Sequence, residues 1–467
     1  MFFNIIFIFL NLIITTCWYI FYNQYSLFKH YLNPYFAFDK IPGYFDSSVL
    51  RLTIVLFILI AAAYIAGFYV LRKIKKISNV LMISLILLLI IPAILNIVSY
   101  PVGALDIFNY ISESKIFYFY HQNPYIIPFE TFQKDPLSNY TIFSNLTLVY
   151  GPFWLLLSGI PFLLVGFGNL LNLLISYKIF SYLCVLITGI LIYFYEQDQK
   201  LKWPVVYLFL ANPFILFEAV TNAHNDIIMT VFLIASFWLL KKRSWSALPF
   251  LILSSLVKYF AFVLVPLFLL VMLKDKWNGR SVMKSAVVST MLVAVFYIPF
   301  LLTGSNTTNL VNTITSSLNI NTYSIFSLIR EYLQQKSGIS SQIISAVWLG
   351  LAALFLIFVF FRLKATDVVK KPTAAAIDIL LLFMVLLSLF QPWYLIPALA
   401  FLVIDGKLIS IVFLFVITFA GLIFYPLSVW AWFNSGLSVF NVHLFQSLFI
   451  MLPIILYFVF RIIKEVS

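Results

Sequence analysis

The sequence predicts an all-α polytopic membrane protein, on the basis of its composition and the pattern of its apolar segments. Of the 467 residues, 63% are hydrophobic and only 10% are charged, whereas soluble domains carry roughly 25% charged residues. Apolar runs of about 18 residues or more recur along the chain, long enough to cross a bilayer as helices. They lack the polar–apolar alternation of barrel strands. These features exclude a soluble fold and favour a bundle of about 13 to 14 transmembrane helices.

The net charge of +13 is concentrated in short basic clusters beside apolar runs, at residues 72–76, 241–243, 274–284 and 362–371. Because basic residues beside membrane spans favour the cytoplasmic side, all four clusters are expected to face the cytoplasm. Contact with nucleic acid is the alternative, and it is disfavoured because the clusters are short and lack interleaved aromatic residues. The lipid bilayer is therefore the expected partner of this surface.

The clusters define an expected order of spans and loops within one transmembrane domain that covers the whole chain. Residues 1–99 are predicted to hold the N-terminal spans, and residues 100–171 a large outer loop with juxtamembrane helices. Residues 172–467 are predicted to form the rest of the bundle, with outer loops at 218–226 and 304–341. Both chain ends are expected in the cytoplasm.

Two apolar segments do not fit a simple count of crossings. Residues 150–166 are apolar enough to cross, but one more span there would move the 241–243 cluster outside. We therefore predict a juxtamembrane or re-entrant helix for this segment. Residues 246–273 are interrupted by Lys258 and Pro266, which predicts a broken helical hairpin that lines a cavity.

The large outer loop contains acidic and hydroxyl groups at helical spacing. Asp106, Tyr110 and Glu113 follow each other at i, i+4 and i+7, so in a helix they share one face. A carboxylate at the lipid boundary is costly unless it is paired or used. Asp106 is therefore a candidate functional residue, with a solvated interfacial helix as the alternative.

The second outer segment, 218–226, ends in His224-Asn225-Asp226. Asp226 has the residue type of a helix N-cap, and with His224 it also has the residue types of a metal pair. Two ligands are too few for a protein metal site, so a cap and cavity role is favoured over metal binding.

Three isolated cations, Lys178, Lys258 and Arg330, lie outside the basic clusters. Cations at membrane depth usually pair with an anionic group. The expected partner is Asp378 or Glu218, or else a lipid phosphate.

A series of short motifs runs in order between residues 100 and 394. They are Tyr100-Pro101 with Asp106-x-x-x-Tyr110, Asn123-Pro124-Tyr125, Asp135-Pro136-Leu137, Tyr150-Gly151-Pro152-Phe153-Trp154, Asn212-Pro213 with His224-Asn225-Asp226, Leu256-Val257-Lys258-Tyr259, residues 323–330, and Gln391-Pro392-Trp393-Tyr394. Together they resemble the GT-C class of integral membrane glycosyltransferases, and within it the polyprenyl-phosphate-mannose-dependent mannosyltransferases.

The resemblance implies transfer of a hexose from a polyprenyl-phosphate sugar to a glycan or glycolipid acceptor, at the outer face of the cytoplasmic membrane and with inversion. Asp106 would be the general base. Lys258 and Arg330 would hold the donor phosphate, and His224 and Asp226 would orient the acceptor or Asp106. Mannose is favoured, while glucose, galactose, arabinose and an amino sugar stay open.

Aromatic residues at the mouths of the outer loops are the remaining candidates for substrate contact. Tyr150, Trp154, Trp393 and Tyr394 have side chains that can contact a sugar or a prenyl chain. Tyr110, which shares a helical face with Asp106, is a further candidate for substrate binding. No cofactor is expected. The first loop contains no Asp-x-Asp, so a divalent metal is unnecessary in this reading, although the resemblance leaves it open.

Two other functions agree with parts of the sequence. A transporter or flippase of lipid-linked sugars would also use broken helices and buried cations, but it favours an internal repeat, and none is evident. A polymerase or ligase of envelope polysaccharide would favour an arginine-rich outer loop, and Arg330 is the only arginine in the predicted outer loops.

Overall fold

The computed structural model describes residues 2–34, 40–41, 43–44, 46–74, 78–196, 198, 200–304, 323–337, 341–365, 367–387 and 389–466. These residues form helices joined by turns and loops, and no strand occurs among them. One isolated antiparallel bridge joins Ser26 to Ser99. The predicted all-α fold class is confirmed.

The N-terminal part consists of long apolar helices that pack on one another. Their ends are set by side-chain caps, which satisfy backbone N–H groups that lack a helical partner. Asp46 accepts from the N–H groups of Ser48 and Val49, and the Ser78 hydroxyl accepts from that of Leu81. The helices are α1 (Phe2–Gln24), the short α2 (Leu27–His30), α3 (Ser47–Lys73) and α4 (Asn79–Ile97).

The segment after α4 contains two helices too short to span a bilayer by themselves, since about 20 residues are needed. Lys115 and Tyr120 both contact the Asp135 carboxylate, at 2.6 Å each, and so tie the segment together. A short helix over residues 150–166 is confirmed. The elements are α5 (Asp106–Tyr118), 3-10 turns at Phe129–Phe132 and Pro136–Asn139, and α6 (Pro152–Val165).

The next helices lead to a wider, π-helical segment at Leu216–Thr221. A π segment places one more residue in each turn than an α-helix does, and such segments are frequent at functional sites. The surrounding helices are α7 (Leu170–Tyr195), α8 (Lys202–Leu210), α9 (Pro213–Ile215) and α10 (Asp226–Lys241).

The predicted interruption at Lys258 is confirmed. The helix before it ends at Val257, and Lys258 itself is extended, with φ of −146° and ψ of 120°. The N–H of Gly151 donates to the Val257 carbonyl at 3.2 Å. A β-carbon at residue 151 would collide with the carbonyl of Leu256, so only glycine allows this approach. The elements are α11 (Ala247–Val257), a 3-10 segment (Tyr259–Leu264), α12 (Val265–Lys274) and α13 (Gly279–Leu302).

The C-terminal part completes the bundle. Of the predicted outer loop 304–341, residues 305–322 and 338–340 lie outside the described residues, and most of the remainder is helical. The elements are α14 (Ile325–Ser337), α15 (Ser341–Ala365), α16 (Pro372–Leu386), a 3-10 turn (Pro392–Leu395), α17 (Ile396–Asp405), α18 (Leu408–Phe433) and α19 (Val439–Val466).

The number of apolar helices agrees with the prediction. Within the described part of the chain, 8 helices are long and apolar enough to cross a membrane, and a further set is apolar but shorter. The shorter helices are Pro152–Val165, Ala247–Val257, Tyr259–Lys274, Pro372–Leu386 and Pro392–Asp405. The chain is therefore a multi-pass membrane protein.

The expected pairing with Asp378 is wrong for Lys178 and Lys258. Asp378 is bound by Arg362 at 2.5 Å and by Arg461 at 2.6 Å, which joins α15, α16 and α19. Lys178 is fully buried in α7 and donates to the backbone carbonyl of Ser99. A positive charge beside the end of α4 is favourable because a helix C-terminus carries partial negative charge.

Candidate active site

A cavity of about 370 Å³ opens between the predicted outer segment (residues 100–171), the loop at 389–394 and the C-terminal end of α18. Its size falls within the range of about 300 to 1,000 Å³ that is usual for ligand pockets. Of the residues predicted from sequence, Asp106, Tyr150, Trp393 and Tyr394 line it. The cavity therefore brings together residues that are up to 288 positions apart in the sequence.

Asp106 is the first residue of α5 and faces the cavity. The partial positive charge of a helix N-terminus stabilises a carboxylate there. Burial nevertheless raises the pKa of Asp106 to about 6, although the charge of Lys258 lowers it and that of Asp226 raises it further. A carboxylate with such a pKa is charged at neutral pH and is a stronger base than an ordinary aspartate.

His224 is fully buried and lies between two carboxylates. Its Nδ1 is 3.6 Å from Asp106 Oδ2, and its Nε2 is 3.3 Å from Glu218 Oε2. The imidazole stacks on Trp393 with ring centroids 3.8 Å apart. Burial and the charge of Lys258 hold the pKa of His224 well below its usual range. The ring is therefore neutral and contacts Asp106 without carrying a positive charge.

Glu218 lines the cavity. The sequence suggested this residue only as an ion-pair partner of a cation. It lies on the π-helical segment, and Asn222 Nδ2 donates to its Oε2 at 2.9 Å. The Asn222 side-chain oxygen accepts from the Gly103 N–H at 3.1 Å. A β-carbon at residue 103 would collide with this amide. This contact joins the 218–226 segment to the loop that precedes Asp106.

Lys258 pairs with Asp226, with Nζ 2.8 Å from Oδ2, so the predicted pairing with Glu218 is wrong. Asp226 is the first residue of α10, while Asn225 occupies the N-cap position and makes no side-chain cap. The predicted cap role of Asp226 is therefore also wrong. Lys258 Nζ lies 4.1 Å from the Tyr394 ring centroid and 5.8 Å from that of Tyr150.

Tyr110 is buried behind the wall of the cavity. Its ring contacts those of Tyr150 and Trp154 edge to face, with centroids 5.4 Å and 5.0 Å apart. The Tyr150 carbonyl accepts from the hydroxyls of Tyr125 and Tyr259. Tyr150 is thus fixed by aromatic packing on one side and hydrogen bonds on the other.

Glu113 lines the cavity together with Asp106, as their helical spacing predicts. Its Oε2 is buried and has no hydrogen-bond partner among the described residues. Burial and the charge of Asp106 raise the pKa of Glu113 well above its usual range. The side chain therefore keeps its proton to higher pH than an ordinary glutamate, and the protonated form can donate a hydrogen bond to a ligand. The sequence singled out its position but not this role.

Arg330 lies in α14 and is not among the described residues that line the cavity. Tyr323, in the same motif, does line it. The phosphate contact expected of Arg330 stays a prediction. Among the described residues, no group of three or more His, Cys, Asp or Glu has the geometry to hold a metal ion.

A polytopic helical bundle with a carboxylate in the wall of a cavity agrees with the class of integral membrane glycosyltransferases suggested by the motifs. A model of the alpha-(1->6)-mannopyranosyltransferase family, N-terminal domain, matches residues 33–274, which is just over half of the chain. The chain belongs to this family. It is a glycosyltransferase with a role in mannosyl transfer, and the predicted resemblance is confirmed. No curated protein and no solved structure matches the chain significantly.

The matched region contains only one side of the cavity. Asp106, Tyr150 and Glu218 line the cavity and lie within the matched region, as do the adjacent His224 and Lys258, whereas Trp393 and the end of α18 follow it. The family match therefore covers the side of the cavity that carries the carboxyl groups, and the wall formed by α18 lies outside the matched residues.

Because Lys258 pairs with Asp226, substitutions of the two residues should have strongly non-additive effects on the free energy of unfolding. Replacing Lys258 by Met leaves a buried carboxylate without its cation, which is expected to lower the free energy of unfolding by about 3 to 5 kcal/mol. Because the Asp226→Asn change removes the stranded charge, the double variant should be clearly more stable than additivity predicts. Thermal unfolding of the detergent-purified variants measures both.

The control for this cycle is Lys370→Met, which breaks an exposed pair with Asp367 of 3.3 Å. Exposed pairs contribute about 0 to 1 kcal/mol, so little change is expected. If the two single substitutions lowered the free energy of unfolding by amounts that simply add in the double variant, the predicted coupling would be contradicted.

Proposed function

We propose that the protein transfers a mannosyl group from a polyprenyl-phosphate sugar to a hydroxyl of a glycan or glycolipid, with inversion and at the outer face of the cytoplasmic membrane. The observation that carries the proposal is Asp106, a cavity-lining carboxylate with a pKa of about 6 beside a neutral His224. The donor class comes from the motif resemblance, and the α-(1→6) linkage from the family description.

Asp106 acts as the general base in this proposal. It takes the proton of the acceptor hydroxyl while that oxygen attacks the anomeric carbon from the side opposite the phosphate. The bond between the anomeric carbon and the phosphate oxygen breaks, and polyprenyl phosphate leaves with the electron pair. His224, which lies 3.3 Å from Glu218 and is stacked on Trp393, keeps the Asp106 carboxylate turned towards the acceptor.

Lys258 supplies positive charge for the leaving phosphate. Its ammonium group lies beside the rings of Tyr150 and Tyr394, which line the cavity. A cation fixed in a low-dielectric site stabilises the negative charge that develops on the leaving group. In this proposal Asp226 orients Lys258, and Arg330 contributes a second phosphate contact on the strength of the motif resemblance alone.

The aromatic lining supplies the apolar contacts. Tyr150, Trp393 and Tyr394 contact the sugar or the first prenyl unit, and Tyr110 keeps Tyr150 in place from behind. Membership in a mannosyltransferase family favours this reaction over the transport of lipid-linked sugars, since transport needs no base at the cavity wall.

The Asp106→Asn variant tests the proposed chemistry. It keeps the size of the side chain but removes the base, so release of polyprenyl phosphate from polyprenyl-phosphate mannose should fall by at least about 100-fold. The assay uses purified protein with an α-(1→6)-linked mannose oligosaccharide as acceptor. Glu130→Gln, at an exposed position in the same outer segment, is the control and should retain full activity.

Two results of this assay would count against the proposal. Unchanged turnover in Asp106→Asn would remove Asp106 as the base. If the wild-type protein released no polyprenyl phosphate from mannose or any other lipid-phosphate hexose, the donor class itself would be wrong.

The pKa of Asp106 predicts an acid limit for the reaction. Because burial raises this pKa to about 6, the base is charged above about pH 6 and protonated below it. kcat/KM should therefore be flat from about pH 6.5 to 8 and fall about tenfold per unit below pH 6. Since the charge of Lys258 lowers the pKa of Asp106, Lys258→Met should move this limit to higher pH. A kcat/KM profile that stays flat down to about pH 4.5 would contradict this prediction.

The outer-face placement of the site can be tested by labelling. Single cysteines at the exposed positions Gly168 and Lys242 are treated in intact cells with a thiol reagent that does not cross membranes. Cys17 and Cys184 are buried in apolar helices and are replaced by Ser. We expect labelling at 168 and none at 242 until the cells are lysed. Labelling at 242 in intact cells would reverse the proposed orientation.

A further inference from the structure

We propose that one face of α18 is a subsite for the acceptor saccharide, and that it binds the sugar ring next to the one that receives the mannosyl group. The proposal rests on the proposed function and names the part of the cavity that recognises the acceptor. The face consists of Tyr425, Ser428, Val429 and Trp432, and all four line the cavity.

The four residues share one side of the helix because of their spacing. They follow each other at i, i+3, i+4 and i+7, which aligns their side chains along one stripe of an α-helix. Two further aromatic residues, Tyr44 and Tyr323, line the same cavity from other parts of the chain. The stripe therefore forms one wall of a cavity to which other aromatic side chains also contribute.

The chemistry of this face matches a sugar. A pyranose ring presents C–H groups on its faces and hydroxyls at its edge, so it stacks on an aromatic ring while a neighbouring polar group binds a hydroxyl. Trp432 is 43% exposed, so protein leaves part of its ring uncovered. Ser428 Oγ is buried and has no hydrogen-bond partner among the described residues. One ring and one hydroxyl without a protein partner thus stand a single turn apart.

Trp432 is also held in place from behind. The ring of His443 contacts it edge to face, with centroids 5.2 Å apart. His443 Nδ1 is itself 2.7 Å from the Glu331 carboxylate. A ring fixed before binding loses less conformational freedom when a ligand stacks on it. The arrangement is thus preorganised for a flat apolar ligand surface.

The α18 face is close to the carboxyl groups of Asp106 and Glu218. The ring of Tyr425 lies 5.7 Å from that of Phe217, the residue next to Glu218 in sequence. Asp106 and Glu218 line the same cavity as the α18 face. An acceptor whose hydroxyl reaches Asp106 therefore extends along this face with its next sugar ring.

A saccharide fits this face better than a prenyl chain does. A prenyl chain has no group to satisfy the Ser428 hydroxyl, and leaving a buried hydroxyl unpaired is costly. The wall from residues 102–150 includes the apolar side chains Leu105, Ile142, Leu146 and Val149 beside Thr147 and Tyr150. We assign the acceptor glycan to α18 because Trp432 and Ser428 combine a partly exposed ring with an unpartnered hydroxyl on one face.

The test compares acceptors of one and two rings. KM is measured for methyl α-mannoside and for α-(1→6)-mannobiose, with polyprenyl-phosphate mannose as donor. The wild-type protein should prefer the disaccharide. Trp432→Ala should raise the KM for the disaccharide by about three- to tenfold, the range of one aromatic contact, and leave the KM of the monosaccharide and of the donor unchanged.

Trp430→Ala is the matched control. Trp430 lies on the same helix and is 42% exposed, but it is not among the described residues that line the cavity. Replacing Trp430 by Ala should leave the KM values of both acceptors and of the donor unchanged. Trp432→Phe keeps a ring and should recover most of the preference, and Ser428→Ala provides a second, smaller change if Trp432→Ala does not fold.

The outcomes separate the two proposals. If wild-type protein transfers mannose to neither acceptor nor to longer oligosaccharides, the proposed function fails. If it transfers mannose and Trp432→Ala keeps the wild-type ratio of the two acceptor KM values, the subsite alone is overturned. A rise only in the donor KM would also overturn it, since the face would then bind the donor.

Discussion

The site depends on how carboxylates are kept charged inside an apolar bundle. Asp106 and Asp226 lie close enough for their charges to interact, and Lys258 pairs with Asp226 while its charge lowers the pKa of Asp106. Asp106 and Asp226 are each the first residue of a helix, where helix dipoles favour negative charge. Neutral His224 separates Asp106 from Glu218. Without these arrangements the carboxyl groups would hold protons and could not serve as bases.

The same charges must be brought together from separate helices, and two glycines make this possible. Gly103 allows the loop before Asp106 to approach Asn222, and Gly151 allows the outer segment to touch the interruption before Lys258. Both contacts are hydrogen bonds from a glycine N–H. A side chain at either position would displace the outer segment from the bundle, and with it the carboxylate or the Tyr150 ring.

The sequence predicted those features that depend on residues close together in the chain. Apolar runs gave the spans because lipid exposure needs about 20 apolar residues, and helical spacing placed Glu113 beside Asp106 in the cavity. Long-range contacts were not accessible in this way. The Lys258 partner was predicted wrongly because Asp226 resembles a helix cap by residue type. The π-helical segment has no sequence signature that separates it from an α-helix, so the role of Glu218 was missed. Trp432 resembled an aromatic residue at the membrane interface, which is a common position for tryptophan.

The division of the cavity between two parts of the chain separates its tasks. The side with Asp106, together with the adjacent His224 and Lys258, belongs to the family domain at residues 33–274, and its geometry is restricted because Lys258 compensates Asp226 and lowers the pKa of Asp106. The wall from α18 carries no ionised group among its cavity-lining residues. A substitution there alters contact area and one hydroxyl while the charge balance at Asp106 stays the same. The chemistry of transfer and the choice of acceptor can therefore change independently of each other.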